Sequence, residues 1–325
     1  MGRMRPALIA ALLFAGTPAA LQAQAISASD KATGAQAHPQ LLARFGGAYR
    51  GSQAAAVERV GRRVAVQSGL SGAERDFTVT LLDSPVENAF AIPGGYVYVT
   101  RQLLALMNSE AELASVMGHE VGHVAARHAA RRNSRATAGN LAAAILGAVT
   151  GSDLAARAAG AGAQLYTLGF SRAQEYQADG LGVRYITAAG YTPYAAADML
   201  AALDDETTLQ AAIAGRGGSG PGWMSTHPNG ADRVQRARQL AVATGKPDLT
   251  AVQDTAFLRM LDGLPYDDGS RRVRVVAVAP GDTIAGLAAR MAYPDHQVER
   301  FAILNGLDPD APPPPGRLVK LIVAR

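Results

Sequence analysis

The 325-residue sequence contains no cysteine. That excludes a disulfide scaffold, thiolate-ligated zinc and a cysteine nucleophile, and it leaves any metal to histidines and carboxylates. Long hydrophobic runs are also missing. The two most apolar stretches, Ala7–Ala15 and Leu141–Val149, fall well short of the ~20 residues that a bilayer span requires. Aromatic residues make up only 6% of the chain, with a single tryptophan. Charge of one sign is scarce as well: 31 basic residues face 27 acidic ones, a formal +4, too small a surplus to argue for a nucleic-acid partner. What is present is an ordinary globular composition, 48% hydrophobic, in a length that suggests about two domains at ~150 residues each.

The first 25 residues account for part of the basic surplus. Arg3 and Arg5 precede the apolar run, and Ala23-Gln24-Ala25 follows it. Basic start, short apolar core and an A-x-A site are the layout of a cleaved secretory signal peptide. Its removal leaves 29 basic against 27 acidic residues, a nearly neutral, thiol-free chain suited to an oxidising compartment. Residues 271–325 carry eight basic and five acidic residues, so the remaining surplus sits at the C-terminal end. The organisation expected is a signal peptide over 1–25, a main domain over 26–243, a linker over 244–270 and a small domain over 271–325.

Within the main domain, residues 26–50 are rich in Ala, Ser, Gln and Gly and are expected to be loosely ordered at the start. The spacing Ala56, Val57, Val60, Val64 predicts a helix over 53–67. The β-branched segment 77–82 predicts a strand, and the segments 88–92 and 96–100 flank Pro93-Gly94-Gly95 as a hairpin or bend. Ser109 and Glu112 are spaced as a capping box opening a helix through about Arg132, and Ser171 and Gln174 open another through about Ala189. Helices also fit 193–203 and 231–242. Residues 136–165, Ala/Gly-rich and almost uncharged, read as a buried helix or a plug over a cleft. Residues 215–222 lack the features of a phosphate cradle and read as a Gly-rich connection.

Inside the helix that begins after Ser109 lies His119-Glu120-Val121-Gly122-His123. At ~100° per residue the two histidines stand about 40° apart, one turn apart on one face. Two imidazoles so placed can reach one zinc ion, with Glu120 close enough to act on water beside it. Such a site needs a third protein ligand. Glu175 can serve, and Asp179, one turn later on the same helix face, can take a hydrogen bond from the spare N–H of a ligand imidazole. His128, about 140° round the helix from His123, is not expected to reach the same ion. His38 and His296 have no companions at ligand spacing.

Four blocks, 88–100, Gly118–His128, Ser171–Asp179 and Ser225-Thr226-His227-Pro228, together resemble the gluzincin metallopeptidases that include HtpX-like and CAAX-prenyl-protease-like enzymes, and most of all their periplasmic BepA-like branch. The resemblance covers about residues 50–243. It implies a mostly helical α+β zincin-type domain with a small edge-strand sheet. It also implies one zinc ion held by His119, His123 and Glu175, with Glu120 as general base. His227 is left open between a donor to the developing oxyanion, a fourth zinc ligand that keeps the enzyme latent, and a purely structural residue. The block containing Asn88, Ala89, Phe90 and Ala91 would be the edge against which an extended substrate pairs; an ordinary core hairpin is the alternative.

Residues 271–325, with the order strand, helix, helix, strand, resemble a LysM-like module through Gly281-Asp282-Thr283, Leu304-Asn305-Gly306-Leu307 and Pro315-Gly316. Pro312–Pro315 departs from that pattern. The likeness implies contact with peptidoglycan. The whole sequence is thus expected to encode a periplasmic zinc metalloendopeptidase acting on unfolded or misassembled envelope proteins, with contact to outer-membrane assembly machinery. A chaperone-like or cell-wall-binding protein and a murein endopeptidase are the alternatives.

Overall fold

The computed structural model describes residues 25–128, 170–215, 223, 227 and 231–325. The expected signal peptide, apart from Ala25, and the expected plug over 136–165 lie outside the described residues. So does all of the Gly-rich connection except Gly215.

The described residues open with helix α1 (Ala28–Arg44), where loose order was expected. Ser27 accepts from the Asp30 N–H while the Asp30 carboxylate accepts from Ser27 N–H, a complete capping box. Its buried Ala37 and Leu41 pack into a small cluster with Phe45, Phe90 and Tyr98, and its Gly34 faces Tyr96, so tertiary packing overrides a weakly helical composition. Helix α2 (Gln53–Ala65) follows as the periodicity predicts.

Strands β1 (Thr78–Leu82), β2 (Ala89–Ile92) and β3 (Tyr96–Thr100) form a sheet in the order β1-β3-β2. β2 and β3 pair antiparallel across the Pro-Gly-Gly bend, β1 pairs parallel to β3, and among the described residues β2 is therefore an edge. After the short helix α3 (Arg101–Leu106), helix α4 (Glu110–Ala125) starts at Ser109, whose side chain accepts from Glu112 N–H. The Glu112 carboxylate turns instead to the Asn108 N–H. α4 stops at Ala125, short of the expected Arg132, because Arg127 takes a left-handed φ of 54°.

Helix α5 (Arg172–Ala188) has the full Ser171–Gln174 capping box and lies directly against α4. Glycines make this approach possible. A Cβ on Gly122 would stand 3.0 Å from the Ala178 carbonyl, and one on Gly182 would stand 3.0 Å from the His119 nitrogen. Helices α6 (Ala195–Ile213) and α7 (Ala231–Ala243) complete the helical layer.

Residues 244–270, expected as a linker, contain helix α8 (Thr255–Leu261) and strand β4 (Pro265–Tyr266). β4 joins β5 (Arg271–Ala277) and β6 (Leu318–Ala324) in a second sheet, ordered β4-β5-β6, with helices α9 (Ile284–Ala288) and α10 (Gln297–Asn305) between the last two strands. This C-terminal unit is packed into the rest: one cluster of buried apolar side chains runs from Val57 through Met117 to Ile322. Lys320 of β6, fully buried, donates to the carbonyls of Ala105, Leu106 and Met107 at 2.7–2.9 Å, capping the end of α3. Arg101 of α3 donates in turn to the carbonyl of Pro265. The fold is α+β, helical with two small sheets. No helix among the described residues is long and apolar enough to cross a membrane.

Candidate metal centre

One turn of α4 sets His119 and His123 on the face that meets α5, and Glu175 and Asp179 come from the facing turns of α5. Among the described residues, His119, His123, Glu175 and His227 form a buried group that could hold a metal ion, each offering a ligand atom within 4.8 Å of the others. His119 Nε2 is 3.0 Å from His123 Nε2 and 3.2 Å from His227 Nδ1. Glu175 Oε1 lies 3.4 Å from His123 Nε2 and 3.1 Å from His227 Nδ1, and Glu175 Oε2 lies 3.5 Å from His119 Nε2. Ligand atoms ~2.1 Å from a tetrahedral zinc are roughly 3.4 Å apart, so these spacings fit one ion.

The chemistry of the donors fits as well. His119 Nδ1 lies 2.9 Å from Asp179 Oδ1, an acceptor; the hydrogen is on Nδ1 and the Nε2 lone pair faces the group. Glu175 Oε2 is fully enclosed and accepts no hydrogen bond, although Arg233 Nη1 is 2.8 Å away as an ion-pair partner. A buried carboxylate oxygen left in that state is suited to a cation.

Burial dominates the electrostatics. It lowers the proton affinity of His119 and, together with the neighbouring imidazoles, drives that of His123 well below the usual histidine range, so both rings are neutral and able to ligate. Burial raises Glu120 well above the ordinary carboxylate range, against the opposing hydrogen bond from Trp223. It raises Glu175 too, opposed by His119 and Arg233. At Asp179 burial is outweighed by hydrogen bonds from Arg233 and His119, and the carboxyl is held below its ordinary value. Arg233 grips both Asp179 oxygens, at 2.8 and 2.7 Å, and is itself almost wholly buried.

Glu120, also buried, lies beside the group, its Oε1 3.6 Å from His227 Nε2. Trp223 Nε1–H donates to Glu120 Oε1 at 2.7 Å, and the indole stacks on His227 with centroids 4.4 Å apart. The Trp223 N–H donates to the Glu87 carbonyl at 2.8 Å, just before the edge strand.

Of the residues anticipated at the substrate edge, Asn88 is buried and pairs with Thr100, and Ala89 and Ala91 lie in β2 opposite Val99 and Val97. The Phe90 ring packs between Phe45 and Tyr98, so its side chain serves the core. Sequence reasoning missed Trp223, Arg233 and Gln177 and left His128 aside. Its only usable signal for these was that the chain has a single tryptophan.

The profile of peptidase family M48 matches residues 51–241, well over half of the chain, and that span encloses every member of the group. The chain belongs to peptidase family M48. It is 34% identical over 165 residues to the mitochondrial metalloendopeptidase OMA1 of Arabidopsis thaliana, covering 50% of this chain and 31% of that protein. It is 28% identical over 193 residues to the beta-barrel assembly-enhancing protease of Yersinia pestis, covering 57% and 38% respectively. The OMA1 of Schizosaccharomyces pombe is 27% identical over 184 residues, covering 56% and 51%. The aligned region is thus between about a third and a half of each relative's length. The buried His/Glu group lies inside the matched span and is where a metal ion fits.

Proposed function

We propose that the chain is an endopeptidase in which His119, His123 and Glu175 hold one zinc ion and Glu120 acts as general base on unfolded or misassembled envelope proteins. The observation that carries this reading is the buried group of ligand atoms within 4.8 Å, with Glu120 beside it on α4. When bound, zinc supplies Lewis acidity, drawing charge from the scissile carbonyl and making water easier to deprotonate. Glu120 takes the proton from the attacking water and delivers it to the leaving amine, and its raised proton affinity suits it to both tasks. Asp179, clamped by Arg233, keeps His119 in the tautomer that presents Nε2. The backbone of β2 at the sheet edge receives the substrate in extended form, which favours unfolded chains over a fixed sequence.

His227 acts as a fourth ligand in a latent form of the site. Its Nδ1 stands 3.1–3.2 Å from two of the proposed ligands, the spacing the others keep among themselves, and four protein ligands make a closed zinc site. The basic start, short apolar run and A-x-A site support a periplasmic location, and the likeness of 271–325 to a LysM-like module supports contact with peptidoglycan. Domains over 26–243 and 271–325 remain the division proposed. The test is casein cleavage by the zinc-loaded chain and by Glu120→Gln. Cleavage by the first and its loss in the second, with zinc retained in both, is expected. Zinc-loaded wild type that holds unfolded casein without cutting it would overturn the endopeptidase reading.

A further inference from the structure

On an unbroken helix His128 would stand about 140° round from His123 and point away from the metal group. The chain takes another course. α4 ends at Ala125, Arg127 adopts its left-handed φ of 54°, and His128, fully buried, returns so that its Nδ1 lies 2.8 Å from His123 Nδ1. A non-glycine residue is seldom found in that region and stays there when its surroundings over-determine it.

The other ring nitrogen of His128, Nε2, lies 2.9 Å from Gln177 Oε1. An amide oxygen only accepts, so His128 Nε2 carries the hydrogen, and the ring in its neutral form offers a lone pair at Nδ1. His123 Nδ1 is then the donor between the two rings, which leaves His123 Nε2 bare. That atom faces His119 Nε2 at 3.0 Å and Glu175 Oε1 at 3.4 Å.

We propose that His128 and Gln177 form a relay that fixes His123 in the tautomer and orientation presenting Nε2 to the metal ion. Both are positioning residues. α5 then supplies all three roles within five residues: Glu175 to the metal group, Gln177 to the relay and Asp179 to His119. The two imidazoles are oriented by unlike partners, one a carboxylate clamped by Arg233, the other a neutral ring. The neutral relay sets a ligand without adding negative charge to a pocket that already encloses Glu120, Glu175 and Asp179. The Phe170 ring, stacked on His123 at 3.8 Å between centroids, holds the other face.

The relay rests on the reading of His123 as a zinc ligand, and the experiment separates the two. Zinc affinity is measured by competition with a chromophoric chelator for wild type, His128→Phe, His128→Asn and Gln177→Met, alongside thermal melting of each metal-free chain. His128→Phe is expected to weaken zinc binding by about 10- to 100-fold, as loss of an outer hydrogen-bond partner typically does. His128→Asn, whose amide oxygen can take the place of Nδ1 as acceptor, recovers most of that affinity. Gln177→Met shows a smaller loss without a matching fall in metal-free melting. Wild-type affinity in His128→Phe, or equal losses in the Phe and Asn variants, overturns the relay. If His128→Phe does not fold, wild-type affinity in Gln177→Met overturns it. Absence of zinc binding by wild type refutes the ligand reading itself.

Discussion

Glu120 is enclosed between Trp223 and the His/Glu group, and burial, opposed by the indole hydrogen bond, sets its affinity for a proton. Replacing it with Gln keeps the size and the hydrogen bond to Trp223 but removes the base. Casein cleavage should fall by about 10²- to 10⁴-fold while metal analysis still finds zinc. For His227 the geometry gives a direction: His227→Ala opens the fourth position, so the initial rate of peptide cleavage should rise while zinc is retained. A fall in rate would make it an oxyanion donor, and no change would leave it structural. At this scale His119 with His123, and Glu175 with Asp179, are legible in the sequence because helical periodicity puts each pair on one face of its helix; that the two faces meet is what the family resemblance implies. Arg233, Trp223 and Gln177 are not, since their contacts depend on how separate segments meet. His128 was hidden for a local reason: the regular helix that places His119 and His123 correctly fails at Arg127.

α4 and α5 carry His119, His123 and Glu175 between them, and their separation is set by residues without side chains. A Cβ on Gly122 meets the Ala178 carbonyl at 3.0 Å and the Leu181 side chain at 3.3 Å, with backbone on one side that cannot yield. Gly122→Val should therefore force the helices apart, destabilising the chain by about 1–3 kcal/mol and weakening zinc binding. Urea unfolding and metal content measure the two effects. The starts of α4 and α5 were readable from Ser109 and Ser171, because capping is a matter of a few neighbouring residues. Helix α1 was not, because its buried stripe is Gly34, Ala37 and Leu41, too small to stand out as an apolar face until Phe45, Phe90, Tyr96 and Tyr98 close over it.

The C-terminal sheet reaches the end of α3 through Lys320 and α4 through the shared core. A chain ending at residue 243 loses both, and its melting temperature should fall far below that of the full chain, which should unfold in one transition. Lys320→Met should destabilise the whole molecule by about 1–3 kcal/mol, since three carbonyls lose their donor. Burial pulls Lys320 down to about 7 while Glu112 opposes it. Between that value and its ordinary range near 10.5, the unfolded chain keeps the proton while the folded amine gives it up and can then donate to only two of the three carbonyls. Stability contributed by this group therefore rises with pH across that window, and Lys320→Met should lack the rise in urea midpoints taken at pH 7 and pH 9.

The one tryptophan of the molecule has a practical consequence. Trp223 is buried, stacked on His227 and bonded to Glu120, so all indole emission originates within van der Waals reach of the proposed base and the fourth candidate ligand. Metal uptake, release of His227 or arrival of a peptide at β2 would each alter the polarity or quenching around that ring. The unlabelled protein carries its own optical probe for events at the proposed metal centre.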